Sequence, residues 1–302
     1  MQEGEFRIRE CENKVCYGFE IMPRTPNFKI SDLSEGRIAK FLGYTFNVRM
    51  TSYTDYLLLL KAMLFRSVQG FRFSENPLEY YLDRAMIVKT WDGFMFFVRP
   101  KSPDLYAIAV AERMEIQKWF KPLARGVVVD VGAYIGTYTV RACKQADLVV
   151  AVEPHPFNFI SLVVNVKLNF KNHDNVILVN KAVGPYETIS PLCVPTRNNY
   201  VSYAEASLKY RAEECLVHKV KVEPLDRILD ELGINRIDLL KVDIEGYVVE
   251  ALPGMLSTLR KTKYLFIELL KHDVVVYRTL KDSGFKLIDK HDHNYLFRKL
   301  IG

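Results

Sequence analysis

Cysteine is scarce in this 302-residue chain, and none of the five forms a C-x-x-C pair, so neither a zinc ribbon nor a dithiol redox motif is present. Cys11, Cys16, Cys143, Cys193 and Cys215 are scattered and odd in number, and the expectation is free thiols in a reducing compartment. Long apolar runs are missing too. The greasiest stretch, residues 56–65, contains Lys61 and is shorter than the ~20 residues that span a bilayer. The charged start, from Glu3 onward, has no apolar h-region, and a cytoplasmic protein is expected. Nor is one sign of charge concentrated. Residues 1–125 hold 19 Lys and Arg against 15 Asp and Glu, and the rest 23 against 21, within a net charge of +6. A nucleic-acid binder usually gathers its basic residues into a stripe, so this balance disfavours nucleic acid as the main partner.

A third glycine is also lacking where one would matter. Val127 to Val131 is a short β-branched run that breaks at Gly132-Ala133-Tyr134-Ile135-Gly136, and a helical pattern follows from Thr137 to about Gln145. Leu148 to Val152 is a second apolar strand, ended by Glu153 and Pro154. This is a βαβ unit with a glycine turn at the carboxyl end of its first strand, where open α/β sheets bind ligands. The dinucleotide fingerprint needs G-x-G-x-x-G so that backbone amides can cradle a pyrophosphate. Here the spacing is G-x-x-x-G, no Lys or Arg falls between Val127 and Val140, and Asp130 stands at the mouth of the turn. That suits a ligand with a cationic end and a ribose, such as S-adenosylmethionine (SAM), better than NAD. Glu153 is placed to accept hydrogen bonds from both ribose hydroxyls.

Strand and helix patterns alternate through most of 126–283, which implies a mostly parallel, doubly wound α/β sheet. Upstream, residues 1–30 read as an irregular arm, 31–42 as a short helix, and Thr51 or Ser52 as the cap of a longer amphipathic one. Residues 77–81 begin another helical turn. Met86 to Thr90 and Phe94 to Val98, joined at Asp92-Gly93, form an expected hairpin. Ala107 to Phe120 is an expected helix, while 181–210, punctuated by Pro185, Pro191 and Pro195, reads as a loop-rich excursion or hairpin over the sheet. Residues 1–105 are read as an N-terminal α/β extension, an acceptor-side cap, and 106–302 as the catalytic domain.

The second informative stretch is Asp238-Leu239-Leu240-Lys241-Val242-Asp243-Ile244-Glu245-Gly246. A strand that ends Asp-x-Glu-Gly sends two carboxylates the same way before glycine turns the chain. Lys241 shares the parity of Asp243, and an ammonium inside an apolar strand needs a carboxylate partner, for which Glu268 on the next strand is one choice. Together with Asp130 to Thr139, Glu153-Pro154-His155-Pro156 and Asn180-Lys181-Ala182-Val183-Gly184, this stretch resembles the FkbM-type SAM-dependent methyltransferases over roughly residues 126–270. Tyr134 departs from that family's usual asparagine.

The resemblance implies a Rossmann-like class I methyltransferase fold, seven strands with an antiparallel closing hairpin at the C-terminus. It implies SAM as cofactor and O-methylation of a sugar, glycolipid or other small-molecule hydroxyl. Carried onto this sequence, Asp130, Gly132, Ala133, Tyr134, Gly136 and Thr137 hold the methionine end, Glu153 and Pro154 the ribose, and Asn180 and Ala182 flank the adenine. Asp243 closes the pocket. A hydroxyl acceptor must lose its proton to a positioned base, and Asp243, Glu245 and Glu268 are the candidates, with His272 still open. The other histidines read as surface residues, apart from His155 on the cofactor side. No spacing demands a metal ion and no metal ligand is assigned, but the three nearby acids leave metal assistance open. An RNA methyltransferase using its N-terminal segment for recognition, or a non-catalytic binding protein of the same fold, are the rival readings.

Overall fold

The computed structural model describes residues 82–300, except 110, 112, 198, 210, 211, 271 and 272, together with 9–11, 14–16, 48–50, 57 and 80. Residues 1–35 and 36–302 are two separate units. In the first, β1 (Arg9–Cys11) and β2 (Lys14–Cys16) pair as an antiparallel hairpin. The expected helices over 31–42 and after Thr51 or Ser52, and most of the turn at 77–81, lie outside the described residues.

In the second unit, β3 (Val48–Met50), β4 (Met86–Thr90) and β5 (Met95–Val98) form a small antiparallel sheet. Its β4–β5 turn is the expected Asp92-Gly93, with Gly93 at φ +92°. The principal sheet has seven strands in the order β15 (Phe285–His291), β16 (Asn294–Lys299), β14 (Thr262–Glu268), β13 (Ile237–Val242), β6 (Val127–Val131), β7 (Leu148–Val152), β8 (Val176–Val179). Strands β14, β13, β6, β7 and β8 are mutually parallel, and β16 alone is reversed, running antiparallel to both of its neighbours, β14 and β15. The class I arrangement expected from the sequence is thus present.

The central strands are apolar without alternation because both faces are covered. Val128, Val129, Val149, Val150, Leu239, Leu240 and Leu265 are fully buried. One face packs against Leu225, Ile228, Leu259 and Leu280, the other against Trp119, Phe120, Tyr138 and Ala142. The helix expected over 107–120 is divided. Helix α1 (Asp104–Ala109) lies against the ligand cavity, and the chain becomes helical again over 113–123 to bury Trp119 and Phe120.

Segment 181–210 is more ordered than its prolines suggest. A second sheet, ordered β11 (Tyr200–Val201), β10 (Thr188–Arg197), β12 (Cys215–Glu223), β9 (Ala182–Val183), grows from it. Pro191 and Pro195 share the parity of Cys193, whose N–H points away from β12 to Ser207, so neither removes a ladder donor on the β12 side. The same pairing corrects the reading of the cysteines as free thiols. Antiparallel register brings Cys193 and Cys215 to a Cα–Cα distance of 5.6 Å, and they are joined as a disulfide. Cys143 is free and buried, and burial pushes its thiol up to about 12.

Candidate cofactor and acceptor site

The carboxyl ends of β6, β7 and β13 meet at a cavity of about 270 Å³. Its back wall is the turn after β6. Gly132 has φ +78°, and a Cβ there would stand 1.6 Å from the carbonyl oxygen of Asp243. Glycine is therefore required by the close approach of two turns, before any ligand is considered. Gly132 N–H and Ala133 N–H donate to Val152 O, and Asp243 N–H donates to Val131 O, which ties the three strand ends together. Gly136, at φ +90°, closes the turn by donating to Ala133 O.

Tyr134 sits between them at φ +53°. Asparagine tolerates this left-handed region better than tyrosine, a physical reason for asparagine to stand there in similar proteins. Tyr134 is held from both ends. Its N–H donates to Glu153 Oε2 at 2.9 Å, and its hydroxyl donates to Asp104.

Glu153 is buried at the end of β7. Its Oε1 accepts from His155 N–H at 2.9 Å and from Asn158 Nδ2 at 3.3 Å. Burial pushes its carboxyl up to about 7, against the pull of these donors and of Arg99. His155 does not line the cavity. It caps helix α2 (Pro156–Asn169) by accepting Asn158 N–H at Nδ1, and burial, with His218 and Arg99 adding to it, lowers it to about 3. His218, read from sequence as a surface residue, packs its ring 4.6 Å from that of His155.

Across the cavity, Asp243, Glu245 and Glu268 bring one carboxylate oxygen each within 4.8 Å of one another. Lys241 Nζ lies 3.1 Å from Asp243 Oδ2 and 4.5 Å over the Tyr138 ring, so the partner of Lys241 on its own strand is Asp243. Glu245, at φ +49°, is pushed up to about 9, first by burial and then by Asp243, Glu268 and Glu205. Three converging carboxylates are the donor type of a hard divalent cation, and the Lys241 ammonium offers compensating charge without one.

The structure gathers most of the expected site residues. Gly132, Ala133, Tyr134, Thr137, Glu153, Pro154, Ala182, Asp243 and Glu245 line the cavity. Asp130, Gly136, Asn180 and Glu268 stand behind its walls. Asp130 is fully buried, accepts from Thr139 Oγ1 at 2.6 Å, and is raised by burial while Lys241 lowers it. Asn180 Nδ2 donates to the carbonyls of Glu153 and Pro154 and so fixes the acid's loop. Glu268 joins the site through the acid cluster. His272 is outside the described residues. Sequence reasoning missed Tyr106, Leu192, Tyr203 and Glu205 on the cavity wall, because no local pattern brings 103–111 or the second sheet to this edge. It also missed Asn158, whose spacing from Glu153 on a helix start was a usable signal.

No curated protein matches the chain. Among solved structures, it is similar to a methyltransferase FkbM from Methylobacillus flagellatus KT, at 18% identity and a TM-score of 0.42, over 58% of this chain and 44% of that one. It is also similar to M. jannaschii TYW2 in complex with AdoMet, at 17% identity and a TM-score of 0.35, over 72% of this chain and 88% of that one. Trm5b from Pyrococcus abyssi is similar at 14% identity and a TM-score of 0.39, over 71% of this chain and 55% of that one. The chain thus spans less than half the length of the Methylobacillus protein. The family description "Methyltransferase FkbM domain" matches residues 130–292, more than half of the sequence and the stretch that holds both acid turns, and the chain belongs to that family.

Proposed function

We propose that this protein is a SAM-dependent methyltransferase that acts on a hydroxyl of a sugar, glycolipid or other small molecule. One observation carries the reading: two unlike carboxyl sites face each other across one cavity, Glu153 among N–H donors and Asp243 with Glu245 among like charges. The donor set fits the cofactor, since acids line the cavity and the turn after β6 adds no cation that would repel a sulfonium or ammonium. When bound, SAM supplies a methyl group made electrophilic by its sulfonium.

The chain's own residues do the rest. Glu153 accepts from ribose hydroxyls, the glycine turn leaves room for close approach, and Tyr106 and Leu192 help exclude water. Asp243 and Glu245, with Glu268 behind them, share the acceptor's proton as a coupled group. The walls carry Glu153, Glu205, Asp243 and Glu245, whereas Lys181 and Lys241 are ion-paired to Glu223 and Asp243. That balance supports an uncharged acceptor over a phosphate-bearing one. In this reading Pro103, near the end of the N-terminal extension, forms part of the acceptor-side wall.

The test is SAM titration followed by radiolabel transfer to sugars, nucleotide sugars, glycolipids and total RNA. Transfer to an uncharged hydroxyl is expected. Turnover on RNA alone would replace the acceptor class, and SAM binding with no turnover would favour a non-catalytic binding protein. The cytoplasmic compartment belongs to the same reading, and the Cys193–Cys215 bond sets its test. Thiol trapping in freshly lysed cells should find both sulfurs reduced if the compartment is reducing.

A further inference from the structure

A closed ring of contacts runs from the cofactor-side acid into a segment outside the family match, and back again. Asn158 Nδ2 donates to Glu153 Oε1, and Arg99 Nη1 donates to Asn158 Oδ1 at 2.9 Å. Arg99 then grips Asp104 with two parallel bonds, Nε to Oδ2 at 2.8 Å and Nη2 to Oδ1 at 2.7 Å. The Tyr134 hydroxyl donates to the same Asp104, and Tyr134 N–H returns to Glu153 Oε2. Five residues from three stretches of chain, 99–104, 134 and 153–158, therefore form a ring that fixes one carboxylate at both oxygens.

The members are placed for this task. Asp104 is fully buried, and the Arg99 side chain is 11% exposed. A buried bidentate guanidinium–carboxylate pair holds geometry as well as charge. The Arg99 guanidinium also stacks 4.0 Å over the Tyr203 ring, and Asn158 Nδ2 bonds Tyr203 O at 3.0 Å. The ring thereby steadies both side walls, α1 that Asp104 begins and the turn Tyr203–Glu205. The segment itself is anchored independently, because Asn165 and Asn169 of α2 accept from Phe97 N–H and Met95 N–H on β5.

We infer that Arg99 and Asp104 are positioning residues of the SAM site, which aim Glu153 at the ribose and hold Tyr134 in its left-handed turn. This rests on the reading of Glu153 as the ribose acid. The groups around that carboxyl are Arg99, Tyr134, His155, Asn158 and Tyr203, with Asp104 behind Arg99, and Arg99 is the one cation among them. A carboxylate receives ribose hydroxyls better than a neutral acid, so SAM affinity should rise with pH through about 7, where burial has placed Glu153. Loss of the Arg99 charge should move that midpoint upward.

SAM affinity would be measured by calorimetry from pH 5.5 to 9 on the full chain, with melts, for Arg99→Met, Arg99→Lys, Asp104→Asn and Glu153→Gln. Arg99→Lys keeps the charge and loses the fork, so it should fold while binding SAM about 10-fold more weakly, with kcat little changed and KM for SAM raised. Arg99→Met, if folded, should add the upward shift of the midpoint. Asp104→Asn should weaken SAM similarly to Arg99→Lys. Glu153→Gln should abolish the pH dependence. If Glu153→Gln loses binding while folded Arg99→Lys and Asp104→Asn bind as the parent does across the range, the positioning role is wrong and the ribose reading stands. If Glu153→Gln itself binds normally at every pH, the ribose reading fails and the positioning role falls with it.

Discussion

The turns after β6 and β13 solve one backbone problem and treat a buried carboxyl group in opposite ways. Each places a non-glycine residue in the left-handed region, Tyr134 at φ +53° and Glu245 at φ +49°, beside glycines at positive φ. Such strain costs on the order of 1–3 kcal/mol per residue and persists only where the surroundings over-determine it. At the β6 turn the surroundings are donors. Glu153 meets two backbone N–H groups and one amide, which offset part of its desolvation and leave it near 7. At the β13 turn they are like charges, which add to desolvation and leave Glu245 near 9. Burial alone therefore does not decide what a carboxyl group can do; its neighbours do. In the proposed function, the first turn holds a fixed acceptor and the second trades a proton.

The largest expected effect breaks the two turns apart. Gly132→Val would drive a Cβ into Asp243 O and force the branched side chain to φ +78°, so a loss of roughly 4 kcal/mol or more of stability is expected. Thermal melts check it, and a variant that melts within about 2 °C of the parent would show that the turns are not locked together.

Glu245→Gln sharpens the proton-trading side. If Glu245 takes the acceptor's proton, turnover should fall on the order of 100- to 10,000-fold with SAM affinity retained. Full turnover would leave Asp243 or Glu268 as the base. The same variant has a stability signature. A carboxyl whose folded pKa lies above its unfolded one binds more protons when folded, so its favourable contribution is complete below about 4.5 and is lost as pH rises through about 9. Denaturant titrations should show parent stability declining over this range, and Glu245→Gln should decline less.

The smallest effect concerns the holding side. Glu153→Ala removes charge-assisted hydrogen bonds to two hydroxyls and should weaken SAM by about 1–3 kcal/mol in a titration near pH 8. Unchanged affinity there would take Glu153 out of the site and dissolve the contrast between the turns.

Local sequence carried the principal sheet and its two acid-bearing ends. The runs Val127 to Val131 and Ile237 to Val242 are apolar at every central position except Asp130, Asp238 and Lys241, so burial on both faces could be read directly. Glu153, Asp243 and Glu245 follow such runs, which places them at a strand's carboxyl end by chain connectivity alone. Asp130 was legible as important but not as hidden, because strand parity does not say which face a ligand takes. The second sheet escaped because proline reads as a breaker unless the partner side of the strand is known, and at Pro191 and Pro195 only the β10–β12 register reveals it.

What the sequence determined by itself was the alternation of strands and helices in the principal sheet, the positive-φ turns demanded at Gly132, Gly136 and Gly246, and the acids that end the strands. Those features depend on neighbours a few residues apart. Tertiary structure alone decided that Lys241 pairs with Asp243, that Cys193 meets Cys215, that Gly132 is needed for Asp243 O, and that Arg99 and Asp104 reach Glu153 through Asn158 and Tyr134. Except for Lys241 and Asp243, and for the last links from Asn158 and Tyr134 to Glu153, these are contacts between residues 22 to 111 positions apart, whose approach depends on which strands pair and in what register, and no local pattern encodes that choice. For Lys241 and Asp243 the spacing was legible, but only the structure shows the ion pair they make.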